Sequence, residues 1–236
     1  MGCRDAGPAR SLFTDSCAPR AARPYERGIW PCPHARETRT RPHARESAYA
    51  DIARGIVWAA RHGADVVDLS LGGSGPMARR LKGGVLNSAI ALAHGEGALV
   101  VAAAGNDSTA LRPYEVDAPV LVVDAADRDG RPASFTGFGA RDALAAPGVD
   151  FLSTLPPYPT KETPKNTSGY GELSGTSMAA PYVSAVAALP HHQGLGPDAL
   201  AATVRDTAAN PGRLPELGLG NVDAAAAVKA AAAHQK

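Results

Sequence analysis

The strongest constraint on the fold is an alternation of short apolar runs with amphipathic segments. The apolar runs, at 64–71, 98–104 and 119–124, are rich in valine, leucine and alanine. Runs of this length and composition predict strands buried on both faces. Segments 48–62 and 81–94 carry apolar residues three to four positions apart, which predicts helices. Together they indicate an α/β fold whose mostly parallel sheet is covered by helices on both faces.

Further elements follow from weaker patterns. Short extended pieces are predicted at 133–136 and 144–148, and helices at 182–189, 197–208 and 222–233. We expect Ser47 to cap the first helix. Prolines cluster between residues 155 and 165 and predict an exposed loop there.

Composition narrows the class of protein. The chain of 236 residues is long enough for one sizeable domain, and 44% hydrophobic residues can fill its core. A formal net charge of +1 and 5% aromatic residues argue against nucleic acid as a partner. The three cysteines, Cys3, Cys17 and Cys32, indicate neither a disulfide framework nor a zinc site.

Residues 1–46 differ from the rest. They are rich in arginine and proline, and a near-repeat occurs at 33–37 and 42–46. This composition predicts a disordered tail, with a basic arm for an acidic partner or a misassigned start as alternatives. We therefore place the folded domain at 47–236. No apolar leader segment or membrane-spanning run is visible in the sequence.

The stretch at 173–181, Leu-Ser-Gly-Thr-Ser-Met-Ala-Ala-Pro, places Ser177 at the start of a predicted helix. Gly175 permits a tight backbone there, and Pro181 is expected within the first helical turn. Free N–H groups and the helix dipole would stabilise an oxyanion beside the Ser177 hydroxyl. The alternative is that Ser177 is simply a helix cap.

Two further segments carry chemistry. Asn106 directly follows the second apolar run, where it is either a turn residue or a fixed amide donor for an oxyanion. The segment Ser70-Leu71-Gly72-Gly73 ends the first apolar run. Its glycines either simply end the strand or mark a site where another backbone approaches closely.

These three segments together resemble the subtilisin-like serine peptidases, peptidase family S8. The string at 175–181 is similar to the family's nucleophile motif, and Ala103-Ala104-Gly105-Asn106 to its oxyanion segment. The resemblance implies that Ser177 is the nucleophile and Asn106 the oxyanion donor. It also implies that residues 70–73 pair with an extended substrate, and that 71–73 and 103–105 line the pocket for the residue before the cleaved bond. Because the residues that would line this pocket are small, we expect it to accept a substrate residue with a large apolar side chain.

Two motifs of that family are absent from the sequence, its His-Gly-Thr-His and Asp-Ser/Thr-Gly segments. Asp15-Ser16 is followed by Cys17 and not by glycine. None of the histidines that we considered is predicted to be the catalytic base: His34, His43, His62, His191 and His192. A serine needs such a base to be an effective nucleophile. We therefore expect an N-terminally incomplete subtilisin-like domain.

The resemblance implies a serine endopeptidase that acts through an acyl-enzyme on Ser177. The alternative is an inactive remnant that binds extended peptides through residues 70–73. We expect polypeptide substrates, no nucleic-acid or membrane partner, and a monomer. We also expect no cofactor or metal in the reaction, although the resemblance allows a structural calcium ion without assigning a site. It implies secretion or a place in the cell envelope.

Overall fold

The fold is known from a computed structural model of the chain. It describes residues 44–71, 82–108, 114, 116–137, 142–160, 163–165, 167–191 and 193–233. The N-terminal segment 1–43, including the near-repeat, lies outside these ranges. The boundary predicted after residue 46 therefore stays a prediction.

Helices and strands alternate at the start of the described chain, and five strands then follow one another before the next helix. The helices are α1 (Ala44–Arg61), α2 (Asn87–Gly95), α3 (Thr176–His191), α4 (Pro197–Asp206) and α5 (Ala224–Ala233). A π-helical segment, Lys82–Leu86, leads into α2, and a 3-10 turn lies at Pro215–Leu217. The strands are β1 (Val66–Leu69), β2 (Leu99–Ala103), β3 (Val120–Ala126), β4 (Leu144–Pro147), β5 (Phe151–Thr154), β6 (Tyr170–Leu173) and β7 (Gly220–Asn221).

Five strands form a parallel sheet in the order β1-β2-β3-β4-β7. Parallel neighbours need crossover connections. Helix α2 lies in the connection from β1 to β2, and α3 and α4 lie in the connection from β4 to β7. Strands β5 and β6 form a separate antiparallel pair. The prediction of a mostly parallel sheet with helices is confirmed.

Each face of the sheet has its own apolar core. The first core lies under α3, α4 and α5 and contains alternate residues of the central strands, such as Leu121 and Val123. The second core contains the other alternate residues, including Val100 and Val122, and packs against α1 and α2. Both faces are therefore buried, as near-continuous apolar strands require.

Three local predictions are wrong. Helix α1 begins at Ala44, upstream of Ser47, so Ser47 is not its N-cap. Residues 133–136 form a turn, closed by the Thr136 N–H that donates to the Ala133 carbonyl, and not an extended piece. Pro181 is the sixth residue of α3 and lies beyond its first turn. It therefore leaves the Ser177 carbonyl without the N–H that a helix normally supplies to it.

Asp124 lies inside β3 and not at its end, because the strand continues to Ala126. Its side chain is only 1% exposed, and its Oδ1 atom has no hydrogen-bond partner. On β4 it pairs with Ala145, which offers only a methyl group. Burial raises the pKa of Asp124 from 3.8 to about 8.

We predict that Asp124 makes stability depend on pH. Between about pH 4 and pH 8 the folded state holds the Asp124 proton more tightly than the unfolded state does. The free energy of unfolding should therefore fall as pH rises, by at most about 1.4 kcal/mol per pH unit. Urea denaturation of Asp124→Asn at several pH values should show a flatter dependence than the wild type.

The matched control for this prediction is Asp129→Asn, because Asp129 is an exposed carboxylate near the same strand. It should keep the wild-type slope. Equal slopes for wild type and Asp124→Asn would contradict the prediction.

Candidate active site

Ser177 lies in the first turn of α3 and is half-buried. Its N–H is one of the first four of the helix, which have no acceptor within the helix. The preceding turn is tight, since the Met178 N–H donates to the Gly175 carbonyl at 3.0 Å. The hydroxyl and a backbone donor therefore occur together at the positive end of a helix dipole.

The Asn106 side chain is bound to the residue next to Ser177. Its Oδ1 atom accepts hydrogen bonds from the Thr176 N–H at 2.8 Å and from the Thr176 hydroxyl at 3.0 Å. The Thr176 hydroxyl also accepts the Gly105 N–H at 3.1 Å. We call this set of three hydrogen bonds the Thr176 clamp. Because Oδ1 is occupied, the NH₂ group of Asn106 is the part of the amide that remains to donate. Its nitrogen lies 3.2 Å from the position that a Cβ atom at Gly175 would take.

Glycine is required where the backbone leaves β2. Gly105 has φ of +113°, a conformation that side-chain-bearing residues rarely adopt. Its carbonyl accepts the Gly137 N–H at 2.8 Å. This bend directs Asn106 toward α3, and the hydrogen bond ties the loop to Gly137, the residue after the turn at 133–136.

A second close approach supports the serine turn from below. The Gly175 N–H donates to the Gly148 carbonyl at 2.8 Å. A Cβ atom at Gly148 would lie 2.8 Å from the Cβ of Ala125 and 2.9 Å from the Gly175 carbonyl oxygen. Only glycine at 148 therefore lets the end of β4 and the serine turn approach this closely.

Ser70 is hydrogen-bonded to Asp68 of β1. Its hydroxyl donates to Asp68 Oδ2 at 2.6 Å, while the Ser184 hydroxyl of α3 donates to Asp68 Oδ1 at 3.0 Å. Burial raises the pKa of Asp68, and the hydrogen bonds from Ser70 and Ser184 act in the opposite direction. This network ties β1 to the helix that carries Ser177.

The predicted pocket residues fall on two sides of the sheet. Leu71 and Ala104 both pack against the second core. The Ala103 side chain is 2% exposed and belongs to the first core, under α3. The sheet therefore separates the Ala103 methyl group from Leu71 and Ala104. Gly72 and Gly73 lie outside the described residues.

In the described part of the chain, no hydrogen bond joins Ser177 to a histidine. His62 Nδ1 is 2.7 Å from the Trp58 carbonyl, and the His94 ring is 3.1 Å from an oxygen of Asp198. His191 bonds to the Leu195 carbonyl and to the Asp65 carboxylate. Asp15, His34, His43 and His192 are not among the described residues.

The same part of the chain has neither a metal-binding cluster nor a membrane-spanning helix. Among the described residues, no three or more histidine, cysteine, aspartate or glutamate side chains are grouped so that they could hold a metal ion. None of the described helices is both long and apolar enough to span a membrane.

Comparison with known proteins decides the family. The model of the subtilase family, Peptidase S8, matches residues 38–225. The chain belongs to the subtilase family. The predicted resemblance is thereby confirmed.

Individual relatives agree with this assignment. Subtilisin BL of Lederbergia lenta is 38% identical over 143 residues, which are 60% of this chain and 47% of that protein. Thermitase of Thermoactinomyces vulgaris is 36% identical over 158 residues, 66% of this chain and 51% of that protein. The matched part of this subtilase chain thus spans about half the length of these relatives.

Solved structures show the same fold. A protease from Pseudoalteromonas arctica PAMC 21717 superposes with a TM-score of 0.63 at 34% identity. The superposition covers 77% of this chain and 58% of that one. The shared fold agrees with the family assignment.

Sequence reasoning missed Thr176 and Gly148 as parts of the site. Thr176 stood inside the recognised motif, but its partners Gly105 and Asn106 are about seventy positions earlier. The structure shows Thr176 to be only 1% exposed, and the sequence offered no signal of that burial. Gly148 was noticed only as the end of an extended piece.

We predict that Thr176→Val destabilises the protein. The substitution keeps the shape of the side chain but leaves the half-buried Gly105 N–H without its acceptor. The free energy of unfolding, measured by urea denaturation, should fall by about 1–3 kcal/mol.

Thr203→Val is the matched control, because Thr203 is also buried in a helix and its hydroxyl only donates to the Ala199 carbonyl. That carbonyl keeps its ordinary helical partner after the substitution. The prediction fails if both variants lose the same stability.

Proposed function

We propose that this chain is a serine-type endopeptidase that cleaves polypeptides through an acyl-enzyme on Ser177. The single observation that carries the proposal is the Thr176 clamp, which holds the Asn106 amide beside the serine turn. A hydroxyl, a free backbone N–H and a fixed amide donor are three of the groups that acyl transfer uses, and a general base is the fourth.

In the proposed reaction the Ser177 hydroxyl attacks the carbonyl carbon of the cleaved bond. Negative charge then develops on the carbonyl oxygen, and the Ser177 N–H and the Asn106 NH₂ group donate hydrogen bonds to it. Because Oδ1 of Asn106 is held by Thr176, the NH₂ group needs little reorganisation when the charge appears. The serine proton passes to a general base, most often a histidine, which returns it to the leaving amine as the C–N bond breaks and the acyl group stays on Ser177. Water then hydrolyses the acyl-enzyme and frees the serine.

We propose an extended peptide as the substrate, added as a strand along residues 70–73. Main-chain hydrogen bonds suit any unfolded polypeptide, which agrees with a protease of broad substrate class. Ser70 is anchored to Asp68, and this anchoring supports a rigid edge at the end of β1. The proposed reaction uses no cofactor. We also propose, from the family resemblance, a protein secreted or held in the cell envelope and acting as a monomer.

A second candidate function is peptide binding without cleavage. The observation that favours it is that the described histidines bond to groups other than Ser177. The two candidates differ in the reactivity of the serine and can be separated by one reagent.

We predict that a fluorophosphonate probe labels Ser177, since the proposed site would stabilise the charge that forms during phosphonylation. Labelling, measured by mass spectrometry of the intact protein, should disappear in Ser177→Ala. It should persist in Ser153→Ala, because Ser153 is an exposed serine of β5. Folded wild-type protein that takes up no probe would favour peptide binding without cleavage.

We predict that Asn106→Asp slows this labelling by about 10²–10³. Aspartate retains an oxygen that can accept from Thr176 but has no NH₂ group to donate. The rate constant for labelling should therefore fall while the urea midpoint changes little. An unchanged labelling rate would exclude Asn106 as the oxyanion donor.

A further inference from the structure

The three most exposed large apolar side chains among the described residues lie on one hairpin. Leu152 of β5 is 65% exposed, Tyr170 of β6 is 62% exposed, and Tyr158, in the loop between these strands, is 62% exposed. We call these three side chains the hairpin patch. Single exposed apolar residues are normal, whereas a group of them marks a surface that binds a partner or a ligand.

The strand register gives the patch a defined face. Thr154 pairs with Tyr170, and Leu152 pairs with Glu172. Because side chains alternate between the two faces of a strand, these four side chains share one face of the hairpin. Leu152 and Tyr170 are therefore diagonal neighbours, at a separation that an aromatic ring can span.

The loop between the strands begins beside the same end of β6. The Leu155 N–H donates to the Gly169 carbonyl at 2.8 Å, which extends the hairpin by one step beyond Tyr170. A Cβ atom at Gly169 would lie 3.9 Å from the Cβ of Pro157, the residue before Tyr158. The chain is thus held beside β6 up to the residue before Tyr158, and Tyr158 lies at the outer end of the patch.

The main chain of the patch is already bonded at Tyr170. The Ser168 hydroxyl donates to the Tyr170 carbonyl at 2.7 Å and accepts the Tyr170 N–H at 3.1 Å. A third strand would have to displace Ser168 to pair with these groups, as is common for protected strand edges. The patch therefore recognises a ligand through side chains and not through strand addition.

The inner end of the hairpin adjoins the serine turn. Phe151 pairs with Leu173, which lies four residues before Ser177. Because a strand rises about 3.4 Å per residue, Tyr170 lies about 10 Å along β6 from Leu173. An extended peptide that occupies the site at Ser177 reaches the patch within about three to six residues of the cleaved bond.

The hairpin and the proposed substrate strand lie on opposite sides of the site. In the order of the sheet, β1 and β4 are separated by β2 and β3. Residues 70–73 follow β1, whereas the hairpin follows β4. The end of β4 contacts the serine turn, since the Gly148 carbonyl accepts the Gly175 N–H. A peptide that leaves Ser177 in the direction away from 70–73 therefore runs toward the hairpin.

Two exposed carboxylates lie between the serine turn and the outer end of the patch. Glu172 shares the face of the patch, and Asp150 directly precedes β5. Asp150 is held in place, because its N–H donates to the Ser174 hydroxyl at 2.9 Å and its Oδ1 atom accepts from that hydroxyl at 3.2 Å. Among the described residues, neither carboxylate forms an ion pair. Their charge favours a basic residue in a bound peptide.

We propose that the hairpin patch binds the part of a polypeptide substrate that follows the cleaved bond, and selects a basic residue followed by apolar residues. This inference rests on the proposed function, whose substrate class it narrows. Two observations point to substrate as the occupant. The patch is joined to the serine turn by β6, and the carboxylates beside it are complementary to a basic peptide.

The test measures peptide binding by Ser177→Ala, which cannot form an acyl-enzyme. Two fluorescent twelve-residue peptides are compared by fluorescence anisotropy. The last six residues of one contain an arginine followed by two leucines, and serine replaces both leucines in the other. The leucine peptide should bind about tenfold more tightly, because each leucine buries apolar surface on the patch.

Substitutions in the same background locate the binding. Replacing both Leu152 and Tyr170 by serine should remove the preference for the leucine peptide. Val85→Ser is the matched control, because Val85 is also an exposed apolar residue but lies in the π-helical segment before α2. It should keep the tenfold preference. A third peptide, with glutamate in place of the arginine, should bind about threefold more weakly than the leucine peptide.

Each outcome decides the proposal. Equal affinity for the leucine and serine peptides, or an unchanged preference in the double variant, overturns it. Equal affinity for the arginine and glutamate peptides overturns the selection of a basic residue. If the double variant fails to fold by circular dichroism, Tyr158→Ser decides, since Tyr158 lies in the loop, and an unchanged preference there overturns the proposal.

A second copy of the chain is the competing occupant. Sedimentation velocity at the concentrations of the binding assay should show a monomer. Self-association of the wild type that is lost in the double variant would assign the patch to a dimer and overturn the proposal.

Failure of cleavage is distinguishable, because binding is measured without the reactive serine. Patch-dependent binding by a protein that no fluorophosphonate labels would uphold the patch and reject the proposed cleavage. Labelling of Ser177 in a protein that shows no preference for the leucine peptide would uphold the proposed function and overturn the patch. Where the wild type is labelled, saturating leucine peptide should slow the labelling, and an unchanged rate would overturn the proposal.

Discussion

The hydrogen bonds between Thr176 and the end of β2 are the interaction on which the candidate site depends. They join Gly105 and Asn106 to the first turn of α3, across about seventy residues of sequence. Because two of them use Oδ1 of Asn106, they also fix the orientation of the amide. A polar contact that holds two elements together thus determines which atom is left to donate. The Asn106 side chain therefore joins the two elements through its oxygen and keeps its NH₂ group for the proposed reaction.

This contact is possible only because the surrounding residues are small. Gly148 lies directly below the serine turn, and Ala179 and Ala180 of α3 are fully buried against the sheet. Small side chains let the helix lie close to the strands, where its N-terminus can meet the end of β2. Tight packing of this kind also resists displacement, since interiors are close-packed and have few voids. The precision of the site follows from the packing beneath it.

Two aspartates in the sheet show how the surroundings decide the state of a carboxyl. Asp68 accepts hydrogen bonds from Ser70 and Ser184, which partly offset the cost of its burial. Asp124 is buried more completely, and its Oδ1 atom has no such donor. Both occupy strands of one sheet, but hydrogen bonds reach both carboxylate oxygens of Asp68, whereas Oδ1 of Asp124 is buried without a partner.

The sequence alone was enough to predict the alternation of strands and helices and the motif around Ser177, because periodicity and local motifs are properties of neighbouring residues. It was not enough for the β5–β6 pair, whose strands are short and largely exposed and so lack an apolar pattern. Nor could it predict the partners of Thr176 or the burial of Asp124. Those depend on strand register and helix packing, which bring together residues far apart in the chain. Only the tertiary structure decides which side chains meet, and therefore which polar atoms are satisfied and which remain to act.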